Sequence, residues 1–307
     1  MLTIYIKNDI DDEFQRIEKP CEGCWIHIDQ VTLEDVQYIC TLTGLEQTDL
    51  QDCLDKYEVP RIEKLDDRVL VFTRHPTATR ESGLFTATFT IIMTKNYFIT
   101  ISPTCSYLVQ SFISHKPKLT TAQNAKFLIY ILLKITQAFT QQIKRIRASV
   151  LQQEKEIDHI ESEDITNLTM NEENLNQYLS SLLPLRGVLE AITSGKYTVL
   201  HEKDQDLLED LLNASIQSED LCSTNLRSIR SLRDSYQIIF TNQLNKTIRL
   251  LTALTIILSF PTMIASLYGM NVKLPISQSP YAFIFILFFI FGIGFTAYYI
   301  FQRKRWL

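Results

Sequence analysis

The chain has 307 residues and a formal net charge of −5, enough for one large domain or two smaller ones. The balance is mildly acidic, so nothing points to a nucleic-acid partner. A mean hydropathy of +0.00 averages two unlike halves. The chain is richly charged up to about Arg249, whereas from Leu250 to Gln302 its only charged side chain is Lys273.

The N-terminal stretch MLTIYIKNDIDDEF is acidic and has no apolar core of the kind a secretory signal needs, so no cleavable signal peptide is expected. Residues 1–120 read as an α/β domain placed in the cytosol. LTIYI, WIHI, RVLVFT, LFTATFTIIMT and YFITIS are β-branched or aromatic runs of strand length. Between them Thr32-Leu-Glu-Asp35 is a capping-box start for a helix, and Gly44 is placed to end it. The segment TRESGLF around Glu81 joins two antiparallel strands. The six cysteines (Cys21, Cys24, Cys40, Cys53, Cys105 and Cys222) then fall in a reducing compartment. Cys21-Glu-Gly-Cys24 reads as two ordinary thiols, since no second pair stands at zinc-ribbon spacing.

Residues 121–249 form a helical stalk. AKFLIYILLKITQAF opens a long helix whose apolar part contains Lys134 and is too short to span a bilayer, which marks it as buried core. ENLNQYLSSLLPLRGVLEAI forms a second helix with a kink at Pro184. A third begins near Lys203 and meets no Pro or Gly until Pro261. Carried to Tyr268, it is about 100 Å long at 1.5 Å per residue, a length suited to bringing cytosolic events into a membrane. Leu207, Leu211, Cys222, Leu226, Ile229, Tyr236, Ile239 and Leu244 give it one packing face.

Two membrane spans follow, 250–268 and 281–301, each near the ~20 residues that cross a hydrocarbon core. They flank a loop at 269–280 and precede a basic tail at 302–307. The short connection makes a helical hairpin. Lys246 and Arg249 before it and Arg303-Lys304-Arg305 after it place both termini in the cytoplasm of a multi-pass plasma-membrane protein. Tyr281, Tyr298, Tyr299 and Trp306 suit interfacial belts.

Asn245, Thr252, Ser259 and Ser266 recur every seven residues, with Thr255, Thr262 and Gly269 in a row beside them. Seven residues are two helical turns, so these positions share a face. Leu250, Leu254, Ile257, Leu258 and Ile264 are assigned to the opposite side. The stripe alone fits either helix packing through small and hydroxylated residues or a water-filled pathway lined by several copies of one helix. Asn245 at the membrane mouth, with Asp234 below it near the same line, favours the pathway. Two spans cannot enclose a channel, so a pathway requires a ring of subunits with the first span innermost and the second facing lipid.

Tyr268-Gly269-Met270-Asn271 at the end of the first span resembles the CorA magnesium transporter family. So do KTIRLLTALTIILSFPTMIASLYGMN throughout, the ending FQRKRWL, VPRIEKLDDRVLVF from Val59 and LLPLRGVLEAI from Leu182. The resemblance implies an α+β cytosolic domain, long stalk helices and two C-terminal spans, assembled as a homopentameric funnel. It implies Mg²⁺ influx gated by intracellular Mg²⁺, with passage of Co²⁺ or Ni²⁺ as well, and no enzymatic activity. Mg²⁺ is then both cargo and regulator; the bilayer and further copies of the chain are the partners.

By the same resemblance Gly269, Met270 and Asn271 form the selectivity filter. Asp234, Asn245, Leu251, Thr252, Thr255, Ser259, Thr262 and Ser266 line the pore, and Asp210 with Glu81 binds regulatory metal. Two departures stand out. The loop VKLPISQSP carries Lys273 and no acid, and Ser259 occupies a position where the family often has a large Met. The latter makes Leu251 the better apolar gate. Two other readings compete. ZntB-like zinc transporters share the architecture but typically carry Ile where Met270 stands. A non-conducting, membrane-anchored sensor or scaffold would need neither the stripe nor the Gly-Met-Asn. No Gly-rich phosphate loop or H-E-x-x-H is present, and the five histidines are scattered, so an enzyme is excluded.

Overall fold

The computed structural model describes residues 1–81, 84–154, 162–197, 202–271, 275–276 and 279–304; the side chains of 78–81, 84, 202 and 203 stand outside the description. The chain divides into two compact units, one of Met1–Ile157 with Thr166–Leu232, the other of Asp158–Ile165 with Arg233–Leu307.

The first unit is built on a seven-stranded sheet. Its strands in chain order are β1 (Leu2–Ile6), β2 (Gln15–Ile17), β3 (Cys24–Asp29), β4 (Arg61–Leu65), β5 (Arg68–Glu81), β6 (Leu84–Met93) and β7 (Tyr97–Ser102), lying side by side as β2-β1-β3-β7-β6-β5-β4. Every neighbouring pair is antiparallel except β3 and β7. The antiparallel β5–β6 pair agrees with the expectation for TRESGLF, although residues 82 and 83 of that turn lie outside the described residues.

Alternation along the strands sends side chains to two covered faces. Ile4, Ile26, Ile28, Leu70, Phe72, Ile92, Ile99 and Ile101 pack beneath α1 (Leu33–Thr43) with its Val36 and Ile39. On the other face Trp25 and Phe98 meet Phe127 of α3 (Asn124–Gln153) at ring-centroid distances of 5.1 and 4.3 Å. Phe112 of α2 (Tyr107–Ser114) completes the cluster, 5.4 Å from Phe127.

The local signals around α1 act as expected. Thr32 Oγ1 accepts from Asp35 N–H at 3.3 Å while the Asp35 carboxylate accepts from Thr32 N–H at 3.0 Å, and Gly44 closes the helix in the left-handed region at φ 70°.

Helix α3 buries Phe127, Leu128, Ile131, Leu132, Ile135, Phe139 and Ile143, so its apolar opening is core, as expected. Helix α4 (Ser162–Thr193) starts earlier than ENLNQ suggests and runs through Pro184. Within the first unit these two helices pack on the early part of α5 (Glu202–Tyr268), a single helix of 67 residues. Thr140 and Ser218 hydroxyls meet at 2.6 Å, and the Cys222 thiol donates to Leu175 O at 3.3 Å. The buried apolar residues of α5 here are Leu208, Leu211, Cys222, Leu226 and Ile229, with Ser215, Ser218 and Asn225 buried among them. After Tyr236 no residue of α5 is buried until Ala253: Leu244, expected on the packing face, is 48 % exposed.

In the second unit α5 continues to Tyr268 and is followed by α6 (Ala282–Arg303). Both helices are long and apolar enough to cross a membrane.

Candidate ion pathway

The membrane part of α5 has two dissimilar sides. Ala253 and Ile264 are buried and Ile256 and Ile257 half-buried. Phe260 shares an apolar groove with Phe288, Phe289, Gly292, Ile293, Thr296, Ala297 and Ile300 of α6. Away from that side, Thr255, Ser259, Thr262 and Ser266 line one open groove together with Leu258 and Met263. Four of the expected pore-lining residues are therefore brought together by the helix alone. Asn245, Leu251 and Thr252 are also exposed, Leu251 by 55 %.

Leu258 departs from its expected place: it belongs to the polar groove, whereas Ile257 and Ile264 do turn the other way. The signal was available, because Leu258 stands seven residues from Leu251, the same two-turn step that marks the stripe. Met263 was missed entirely; it lies four residues past Ser259 and so on the same side.

Four of the stripe's hydroxyls are already committed as donors. Thr252 Oγ1 donates to Ile248 O at 2.8 Å, Thr255 to Leu251 O at 2.8 Å, Ser259 to Thr255 O at 2.7 Å and Thr262 to Leu258 O at 2.9 Å. Each proton points back along the helix, so what an oxygen presents outward is lone pairs. This face accepts hydrogen bonds and offers few. A hydrated cation presents the complementary surface, since its bound waters direct their hydrogens outward.

At the end of α5, Gly269 N–H still donates to Ala265 O at 3.0 Å, and Met270 N–H donates to Leu267 O at 3.2 Å, a tightened last turn. Gly269 stays outside the left-handed region, unlike Gly44 and Gly195. A Cβ on it would come no closer than 3.4 Å, to Ala265 O. Neither backbone conformation nor crowding by its own chain demands glycine here. Tyr268 Oη donates to Pro275 O at 3.2 Å across the loop. Met270 and Asn271 are exposed; Lys273 lies outside the described residues.

The remaining expected residues are scattered. Asp234 is exposed, its Oδ1 3.4 Å from Arg233 Nη2. Asp210 is exposed on α5, and Glu81 ends β5 with its side chain outside the described residues. Among the described residues no three His, Cys, Asp or Glu side chains gather as a metal cluster.

An α/β unit followed by a long helix and an apolar hairpin, one helix of which carries a hydrogen-bond-accepting face, defines a two-span membrane protein suited to ion transport. The family model for CorA-like Mg²⁺ transporter proteins matches residues 22–304. The chain belongs to that family, and it is a divalent-cation transporter rather than an enzyme. It is 24 % identical over 290 residues to a cobalt/magnesium transport protein CorA of Methanocaldococcus jannaschii, covering 92 % of this chain and 91 % of that one. To the CorA of Thermotoga maritima it is 22 % identical over 291 residues, covering 92 % and 83 %. The complete structure of the M. jannaschii CorA magnesium transporter superposes with a TM-score of 0.77 at 22 % identity, covering all of this chain and 99 % of that one.

Proposed function

We propose that copies of this chain form a closed ring, pentameric as the family resemblance implies, and that the ring conducts Mg²⁺ inward across the plasma membrane, with Co²⁺ and Ni²⁺ as further cargo. The observation that carries the reading is the open groove of Thr255, Ser259, Thr262 and Ser266, whose hydroxyl protons are largely bonded back to their own helix. Repeated around an axis, such faces make a corridor of acceptor oxygens from Asn245 to Gly269. Mg²⁺ gives up water reluctantly, so weak contacts through its hydration shell allow passage where a tight carboxylate cage would retain it.

Gly269, Met270 and Asn271 form the outer ring in this reading. A residue that needs no glycine for its own fold is kept small by what lies across the axis. Leu251 and Leu258 narrow the corridor with apolar side chains, and Asp234 gathers cations at its inner end. The membrane potential supplies about 2.3 kcal/mol per charge per 100 mV as driving force. Intracellular Mg²⁺ held at Asp210, with Glu81 or another acid of a neighbouring copy, screens subunit repulsion and favours the closed ring. The transported ion is then its own effector.

Full-length protein in liposomes at low internal Mg²⁺ is expected to take up Mg²⁺, with inhibition by cobalt hexammine, an inert mimic of the hydrated ion. Asn271→Ala is expected to reduce uptake at least tenfold while the oligomer elutes unchanged; normal uptake by that variant would remove the filter assignment. Asp210→Lys is expected to abolish the protection that Mg²⁺ gives the α/β unit against proteolysis, and unaltered protection would remove Asp210 from regulation.

A further inference from the structure

The C-x-x-C turn ahead of β3 takes no part in ion movement, yet it has the geometry of a reactive dithiol. Cys24 N–H donates to Cys21 O at 3.2 Å, and Gly23, third of the four residues, stands at φ 77°. That combination is a type II turn closed by its own hydrogen bond, which holds the end Cα atoms within about 7 Å. A disulfide bridges roughly 4.4–6.8 Å between Cα atoms, so the turn needs little adjustment to accept one.

The surroundings keep this geometry in place. Gly23 N–H donates to Asn96 O at 2.8 Å, and a Cβ on Gly23 would press on Ala122 Cβ at 3.2 Å. The two thiols differ in access: Cys21 is exposed and Cys24 wholly buried, and both are free in the structure. Burial is the main cause pushing the Cys24 thiol up. An accessible thiol beside a shielded one is the arrangement in which the first attacks and the second resolves.

We propose that Cys21 and Cys24 form a reversible dithiol–disulfide site on the α/β unit, whose reaction partner is a low-molecular-weight disulfide, R–S–S–R. Cys21 gives its proton to solvent and its thiolate attacks one sulfur of R–S–S–R; that S–S bond breaks and one RS⁻ leaves. Cys24 then loses its proton and attacks Cys21 Sγ, forming the internal S–S bond and expelling the second RS⁻. The protein dithiol has given up two electrons and two protons, and R–S–S–R has become two RSH. Excess RSH runs the exchange backwards.

The test equilibrates the full-length protein in glutathione buffers from fully reduced to mostly oxidised, quenches with acid, alkylates under denaturing conditions and maps the peptides by mass. Wild type is expected to lose two alkylatable thiols in one step, at Cys21 and Cys24. Cys24→Ala is expected to trap one glutathione on Cys21, and Cys21→Ser, at an exposed position, to leave Cys24 fully alkylatable. Cys105, also exposed, is the internal reference for simple glutathionylation. Glutathione remaining on Cys21 of the wild type with Cys24 still a thiol, or no change at either residue across the series, would overturn the proposal.

Discussion

The two units of this protein solve the same problem, where to put apolar and polar groups, in opposite ways. In the α/β unit the largest apolar side chains, Trp25, Phe72, Phe89, Phe98 and Phe127, are fully buried. Polar groups there find partners across long stretches of sequence. Trp25 Nε1 donates to Thr100 Oγ1 at 2.9 Å, and Lys7 Nζ to Pro117 O at 2.9 Å. In the second unit none of the described residues of α6 is buried, and Phe283 and Phe288 are each 74 % exposed. There the hydroxyls of Thr252, Thr255, Ser259 and Thr262 bond to their own helix four residues back. The first unit is complete within one chain. In the proposed ring the second turns its apolar surface to lipid and other copies, and its acceptor face to an aqueous path.

Acid should separate the two units most. His27 and His75 are buried and neutral, each held down to about 4 chiefly by burial. Their folded pKa lies below the unfolded value near 6.5, so the unfolded chain binds more protons between these limits. The stability they confer is whole above pH 6.5 and is lost as pH falls through 4, by about 2–3 kcal/mol for each histidine at pH 4.5. Denaturant midpoints of the α/β unit measured at pH 7 and 4.5 should show this loss, and His27→Gln with His75→Gln should shrink the difference.

Trp25→Ala comes next, removing a fully buried ring from a cluster with Tyr5, Phe14, Phe112 and Phe127. It is expected to cost about 3–5 kcal/mol in chemical denaturation. Phe288→Ala should produce the smallest effect on that same transition, within about 0.5 kcal/mol, because its side chain is exposed on α6 of the second unit. A large loss from Phe288→Ala would mean that the hairpin contributes to the core of the α/β unit.

The strands that escaped the sequence reading are β2 and β4, and they are the two edges of the sheet. Interior strands such as CWIHID and YFITIS are covered on both faces and announce themselves by continuous apolar and β-branched residues. Edge strands are shielded by charge, which erases that signal. In β4, Arg61 pairs with Asp52, Glu58 and Glu63 and lies over the Phe72 ring at 4.0 Å, a role no local pattern reveals. Buried Arg74, bonded to Lys56 O, Glu58 O, Thr86 and Thr88, was invisible for the same reason.

The opposite held for α5, where periodicity is local and the two-turn step of hydroxyls could be followed through Pro261. Along the stripe Leu258 and Met263 were misplaced or missed, because residue type overrode the geometry of the step, and Leu244, Leu250 and Leu254, expected on packing sides of the helix, are exposed. The proposed regulatory site is the least legible part, since a carboxylate that would act between copies of a chain leaves no mark in one copy.

The acceptor face is tested most directly by moving a thiol along α5 in a background with the native cysteines replaced. Thr255→Cys, Ser259→Cys and Thr262→Cys should react with a small, charged, water-soluble thiol reagent in liposomes and lose Mg²⁺ uptake on reaction. Ile257→Cys and Ile264→Cys should stay unreacted and keep their uptake. Equal protection of all five positions, or reaction without loss of uptake at the hydroxyl positions, would contradict a water-filled path along this face.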